Sequence, residues 1–247
     1  MKSRRSTGRR RVLISAGPTR EPLDPVRYLS NESTGYLGSR LAAEALIRGH
    51  RVTVVRGPVS EPFPRGARII PVTSAAEMER AMRRQARGAD AVIMAAAVAD
   101  FRPARVSNAK LPRRARLTLT LEAIPDIVAR LPRRPGRVVA GFALETAEVL
   151  PRAARKLRDK QLDLLVAQHL RPRSVQRPER NRGTPRAGTH SPFGRRRVRA
   201  WLVERGGHVT DLGWAAKPAL ARALLDKIEA LWYGQPKRRQ ATHAAET

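Results

Sequence analysis

Short runs of apolar and β-branched residues alternate along the chain with longer stretches whose apolar positions recur every three or four residues. The first kind marks buried strands and the second amphipathic helices. Strands are predicted at RVLIS (11–15), RVTVV (51–55), ARIIPV (67–72) and DAVIMAAA (90–97), with helices over 34–48 and from Ala75. After an interruption at 101–115 the rhythm resumes with a strand at LTLTLE (117–122), a helix from Pro125, a strand at RVVAGFA (137–143), a helix over 147–160 and a strand at DLLVAQ (163–168). The stretch VRAWLVERGGHVTDL (198–212) reads as a hairpin turning at Gly206-Gly207, followed by a closing helix over 217–232. Strand–helix alternation implies an α/β protein: a Rossmann-like, mostly parallel sheet with helices on both faces, plus a C-terminal β-hairpin and closing helix.

One domain over 11–233 is expected, between a basic tail at 1–10 and a polar, unpatterned tail at 234–247. Residues 171–197, rich in Pro, Arg, Gly and Asn, read as a long flexible loop within it. No internal repeat or heptad array suggests a solenoid or coiled coil.

Composition narrows the chemistry. With 247 residues and 41% hydrophobic content the chain can bury a core. It has no cysteine, which excludes disulfides, thiolate metal sites and a cysteine nucleophile, so any cysteine in its chemistry is a substrate. No apolar run approaches the roughly 20 residues that span a bilayer, and MKSRRSTGRRR is not followed by a secretory apolar core, so a soluble, cytoplasmic protein is expected. The 50 Lys and Arg against 21 Asp and Glu give a formal charge of +29, which attracts polyanions and admits non-specific nucleic-acid binding. The arginines are nevertheless scattered, only 4% of residues are aromatic and able to stack on bases, and no nucleic-acid motif occurs.

The first strand runs into AGPTREPLDPVRYLSNESTGYLG and then a helix, which places a polar, Gly-containing loop at the carboxyl end of a sheet strand, where open α/β sheets bind ligands. Ser33, Thr34, Gly35 and Gly38 lie where backbone N–H groups and the helix dipole could cradle phosphate. They serve equally as a helix cap with close-packing glycines, because S-x-G-x-x-G is neither a Walker loop nor the dinucleotide fingerprint.

Four segments in order carry a more specific signal: ISAGPTREPLDPVRYLSNESTGYLG, AAAVADFRPARVSNAKLP, IPDIVARL, and GFALET followed by ARKLRDKQLDLLVAQ. They resemble the phosphopantothenate-cysteine ligases, and with SPFGRRRVRAWLVERGG and the closing helix the resemblance covers about residues 11–232. It implies an enzyme that joins the carboxylate of 4'-phosphopantothenate to the amine of L-cysteine through an acyl-nucleotidyl intermediate. The resemblance further implies CTP in preference to ATP as the nucleoside triphosphate, assistance by Mg2+, and a homodimer, for which the hairpin after Arg197 is a candidate contact. In many bacteria the ligase is fused behind a flavin-dependent decarboxylase; because the ligase signature begins at the first strand, either a free-standing ligase or an isolated ligase half is expected.

Roles follow from the matched positions. The resemblance makes Asn31 and Lys110 the catalytic pair: Lys110 reaches from a flap to neutralise the triphosphate, and Asn31 hydrogen-bonds the acyl intermediate. Nucleotide binding falls to Gly17 and Thr19 of the opening motif, to Ser33, Thr34, Gly35 and Gly38, and to Ala95, Ala96 and Asp100 near the base. It falls also to Asp126, Ile127, Val128 and Ala129 at a helix start, to the ring of Phe142, and to Lys156 and Lys160 on one helix face. No metal-ligating residue is identified. Locally these same residues read as caps, core positions and solvated lysines. Tyr36, Gln168 and Arg197 depart from the family pattern, which bears on base choice, binding geometry and catalytic competence.

Two other readings compete. A nicotinamide oxidoreductase would need G-x-G-x-x-G after the first strand and an acid after the second, where RVTVVRGP supplies arginine. A catalytically degenerate relative or a polyanion-binding module would use the basic surface alone.

Overall fold

The computed structural model describes residues 8–113, 116–132, 134–170, 194–195 and 197–234. The N-terminal half runs β1 (Arg11–Ala16), the short β2 (Arg20–Pro22) and β3 (Tyr28–Ser30), α1 (Tyr36–Ile47), β4 (Arg51–Arg56), β5 (Arg68–Pro71), α2 (Ala75–Ala86) and β6 (Ala91–Met94). There follow the short β7 (Phe101–Pro103) and β8 (Leu121–Ala123), β9 (Val138–Glu145), α3 (Val149–Asp159), β10 (Leu164–His169), β11 (Val198–Glu204), β12 (Val209–Ala215) and α4 (Lys217–Tyr233).

An eight-stranded sheet has the order β12-β11-β10-β9-β6-β1-β4-β5. The strands from β10 to β5 are parallel, while β11 and β12 add an antiparallel edge. This is the predicted α/β architecture. Central β1 is buried on both faces, which is why it reads as an unbroken apolar run. Successive residues of β1 serve opposite layers: Val12 and Ile14 pack with Leu41, Ala45, Leu224 and Ile228 of α1 and α4. On the other face Leu13 packs with Met78 and Met82 of α2, and Leu165 of β10 packs with Ala153 and Leu157 of α3.

Local chemistry sets the boundaries. Helix α2 begins where Ala75 was expected to start it, because Ser74 Oγ accepts from Glu77 N at 3.2 Å while Glu77 Oε2 reaches back to accept from Thr73 N, just before the N-cap, at 2.7 Å. Buried Glu21 adds a third cap by accepting from Ala75 N at 2.9 Å. The helix expected from Thr34 starts at Tyr36 instead, since Gly35 stands at φ 77. The helix expected over 147–160 starts at Val149 after Glu148 at φ 47.

Two expectations are corrected. LTLTLE contributes only Leu121–Ala123, and that strand pairs with β7 in a separate two-stranded arm outside the main sheet. Its Leu–Thr alternation describes a ribbon, not a strand buried on both sides, and Leu117, Leu119 and Leu121 stay exposed. The helix expected from Pro125 is a single 3-10 turn, Val128–Arg130, because Pro132 follows at once and leaves Leu131 extended. Patterning also missed the β2–β3 hairpin, whose strands have only three residues each.

The expected tails at 1–10 and 234–247 lie outside the described residues except for 8–10 and Gly234. Residues 8–10 are held against α4: Tyr233 Oη donates to the Gly8 carbonyl at 3.0 Å, and the Arg10 guanidinium lies over the rings of Trp232 and Tyr233. The loop at 171–197 likewise lies outside, apart from 194, 195 and 197.

Candidate active site

Numbered among themselves, the six parallel strands follow the order 3-2-1-4-5-6, with β1 at the point where the chain reverses its direction of travel across the sheet. Loops leaving the carboxyl ends of β1 and β6 diverge there and open a crevice. They are zipped together below it: Ala97 N donates to the Gly17 carbonyl at 2.9 Å, and Thr19 Oγ1 accepts from Ala99 N at 3.0 Å. The crevice is a cavity of about 680 Å³, the size of a nucleotide or drug-sized ligand.

Most of the residues singled out in the sequence meet in it. Asn31, Ser33, Thr34, Gly35 and Gly38 form the wall at the start of α1. The helix is pressed against the sheet, for a Cβ on Gly38 would lie 2.4 Å from Ala16 Cβ. Gly35 at the N-cap has no side chain to cap with, Thr34 Oγ1 accepts from Tyr36 N at 3.3 Å, and the positive end of the helix dipole lies at the cavity wall. Asn31 Nδ2 donates to the Val98 carbonyl at 2.9 Å, which orients its amide oxygen independently of any ligand.

After β6, Ala95, Ala96 and Asp100 line the next wall. Among the described residues the exposed Asp100 carboxylate has no hydrogen-bond partner, leaving it available to an amino group. Across the opening stand Asp126, Ile127, Val128 and Phe142. Asp126 Oδ1 accepts from Val128 N at 2.8 Å, and Oδ2 pairs with Lys160 Nζ at 2.8 Å.

Lys156 of α3 and Lys160, the residue that caps its C-terminus, complete the site. Of the two, among the described residues, Lys160 alone has a carboxylate in contact. Burial, reinforced by the charge of Lys160, pushes the Lys156 ammonium below its ordinary pKa, while Glu145, Asp100 and Asp126 pull the other way. A bound anion would relieve that strain.

Four expected residues stand apart from the cavity lining. Gly17 and Thr19 lie beneath it as scaffold: Gly17 has φ 77 and faces Val59, and Thr19 is fully buried. Ala129 points to solvent from the 3-10 turn. Lys110 is exposed on a loop whose next residue is tied down, Leu111 N donating to Asp24 Oδ2 at 3.1 Å and Arg27 Nη2 donating to the Leu111 carbonyl at 2.6 Å. Burial of Asp24 opposes its ionisation, yet backbone donors from Val26, Leu111 and Arg27 and the Arg27 guanidinium hold its carboxyl well below the usual range. That anchor fixes where Lys110 sits.

Sequence reasoning missed Lys217. It was only the first residue of a closing helix, yet it lines the cavity, is 4% exposed, and donates from Nζ to Gln168 Oε1 at 2.9 Å. A Lys-Pro pair opening an amphipathic helix carries no signal of this. Burial alone takes its pKa from 10.5 to about 8. The unfolded chain therefore binds more protons between those values, and stability should rise with pH through that window. Urea unfolding at pH 7.5 and pH 10 should show the rise in the native protein and its loss in Lys217→Met.

The fold and crevice define a Rossmann-like α/β protein with a ligand site at its topological switch point. Residues 7–231 match the DNA/pantothenate metabolism flavoprotein C-terminal domain family, and the chain belongs to that family. It is similar to the C-terminal domain of the coenzyme A biosynthesis bifunctional protein CoaBC as solved by crystallography, with a TM-score of 0.72 and 30% identity over 90% of this chain and 95% of that one. Among curated proteins, a cysteine/cysteine sulfinic acid decarboxylase of an unknown prokaryotic organism is 36% identical over 89% of this chain and 58% of its own length. CoaBC of Vibrio vulnificus (strain YJ016) is 47% identical over 63% of this chain and 40% of its own length. The chain thus spans about half the length of these curated relatives. Among the described residues no helix is long and apolar enough to cross a membrane.

Proposed function

We propose that the chain is a phosphopantothenate-cysteine ligase of coenzyme A biosynthesis, consuming CTP in preference to ATP. One observation carries the reading: a single cavity at the switch point gathers Asn31 and the start of α1, Asp100, Asp126 and the Lys156–Lys160 pair, which come from four separated sequence motifs. A triphosphate needs cations and backbone donors, and a nucleobase amino group needs an acceptor. The cavity has both.

In the proposed reaction the carboxylate of 4'-phosphopantothenate attacks the α-phosphorus, and the bond to the β-phosphate oxygen breaks to release pyrophosphate. The cysteine amine then attacks the acyl carbonyl, loses a proton and displaces the nucleoside monophosphate. Two anions must approach in the first step, so Lys156 and Lys160 lower its barrier by screening their repulsion. Asn31, pre-oriented by Val98, hydrogen-bonds the acyl intermediate, and Asp100 accepts from the base. Lys110, the second catalytic residue of this scheme, stands outside the cavity on a loop tied to Asp24, and its part requires that tie to open. Among the described residues no cluster of three or more His, Asp or Glu forms a metal cage, so Mg2+ belongs to the nucleotide, whose phosphates and water are its preferred ligands. A homodimer is part of the same proposal.

The test is pyrophosphate release from CTP and from ATP, each with and without 4'-phosphopantothenate and L-cysteine. Continuous release should require both acceptors, and without cysteine it should stop near one pyrophosphate per site. Folded protein that consumes neither nucleotide would refute the ligase reading and leave a degenerate relative or a polyanion-binding protein.

A further inference from the structure

Of the three lysines that line the cavity, one has no carboxylate in its setting among the described residues. Lys160 has Asp126, and Lys156 feels Glu145, Asp100 and Asp126. Lys217 has no carboxylate within ion-pair distance among the described residues, and its one hydrogen bond is to a neutral amide, that of Gln168. Among the described residues, one of its three N–H donors has a partner. It is also the first residue of α4, where the helix dipole repels a cation. Burial, a neutral partner and the wrong end of a dipole each oppose a protonated lysine at this position. A buried ammonium kept under those conditions, beside a 680 Å³ cavity, is poised for an anion that the cavity admits.

The register shows which part of the cavity this is. Gln168 shares its side of β10 with Leu164 and Val166, the side that packs against α1 and α4, whereas Lys156 and Lys160 project from α3 on the other side. Lys217 therefore shares the α1 and α4 side of the cavity with the start of α1, where Ser33, Thr34 and Gly35–Gly38 also line it. We propose that Lys217, held by Gln168, ligates a phosphate group seated against the N-terminus of α1, as a second cationic pole opposite Lys156 and Lys160. The idea rests on the ligase reading for its substrates. Both the triphosphate and 4'-phosphopantothenate carry that chemistry, and the experiment separates them.

Pyrophosphate is titrated calorimetrically into the native protein, Lys217→Met, Lys217→Arg and Gln168→Glu, and KM is then measured for the nucleotide and for 4'-phosphopantothenate. Methionine keeps the volume and removes the charge, so Lys217→Met should keep or raise the unfolding temperature while weakening phosphate binding roughly tenfold or more, the scale of a charge-assisted hydrogen bond. Gln168→Glu should weaken binding similarly by giving Lys217 an internal carboxylate, and Lys217→Arg should retain most of it. A raised KM for the nucleotide together with weakened pyrophosphate binding assigns the triphosphate, and a raised KM for 4'-phosphopantothenate alone assigns its phosphate. Unchanged affinities and KM values in Lys217→Met would overturn the proposal, whatever the ligase assay shows. Absent turnover with Lys217-dependent pyrophosphate binding would refute the ligase reading and keep the phosphate site.

Discussion

Lys156→Met is expected to lower kcat/KM for the nucleotide by roughly 100-fold, about 3 kcal/mol of transition-state stabilisation, the scale of removing one pre-organised electrostatic contact. The neighbouring lysine should matter less. Lys160 is already paired with Asp126 at 2.8 Å, so part of its charge is spent inside the protein, whereas Lys156 is half-buried with no such contact. Its lowered pKa gives the effect a pH signature. Burial and Lys160 favour the neutral amine, so native activity should decline with rising pH earlier than an ordinary lysine would dictate, and saturating nucleotide should push that decline upward by stabilising the ammonium. Steady-state kinetics from pH 7 to pH 10 check both statements. Loss in Lys160→Met equal to or greater than that in Lys156→Met would contradict the assignment.

Gly57→Ala is expected to destabilise the protein by about 3 kcal/mol, the upper part of the usual range for overpacking. The added Cβ would lie 1.8 Å from the Pro18 carbonyl oxygen and 2.9 Å from its carbon, and backbone cannot yield as a side-chain end can. Pro18 lies between Gly17 and Thr19, whose contacts with Ala97 and Ala99 join the β1 loop to the β6 loop. Displacing it should therefore disturb the cavity as well as the fold. Thermal unfolding should fall by roughly 6–12 °C for a domain of this size, and KM for the nucleotide should rise in the protein that remains folded. Gly206→Ala at the hairpin turn, where nothing lies within 4 Å, is the control and should leave both unchanged.

Much of the architecture was legible before any coordinates, since it depends on local pattern. Strands buried on two faces must be apolar throughout, and amphipathic helices must repeat every three or four residues, so the main-sheet strands and the four helices could be placed from periodicity. Local pattern misled where an element had too little length or a different surface to cover: the 3-10 turn at Val128–Arg130, the β2–β3 hairpin and the two-stranded arm of LTLTLE. The matched motifs also marked most of the cavity, from Asn31 to Lys160, because those residue types sit at loop and strand ends that the alternation predicts.

Tertiary structure decided which of them share a space. It tied the loop of Lys110 to Asp24, 86 positions earlier, placed Gly17 and Thr19 beneath the cavity as scaffold, and brought Lys217 to Gln168 across 49 positions. The sequence by itself determined a Rossmann-like α/β chain with a polar loop after its first strand, because periodicity and turn chemistry are local. Only the folded sheet, by setting strand order and crossing helices over both faces, decided which cations remain uncompensated. Charge compensation and burial depend on neighbours in space, and these the order of residues along the chain does not record.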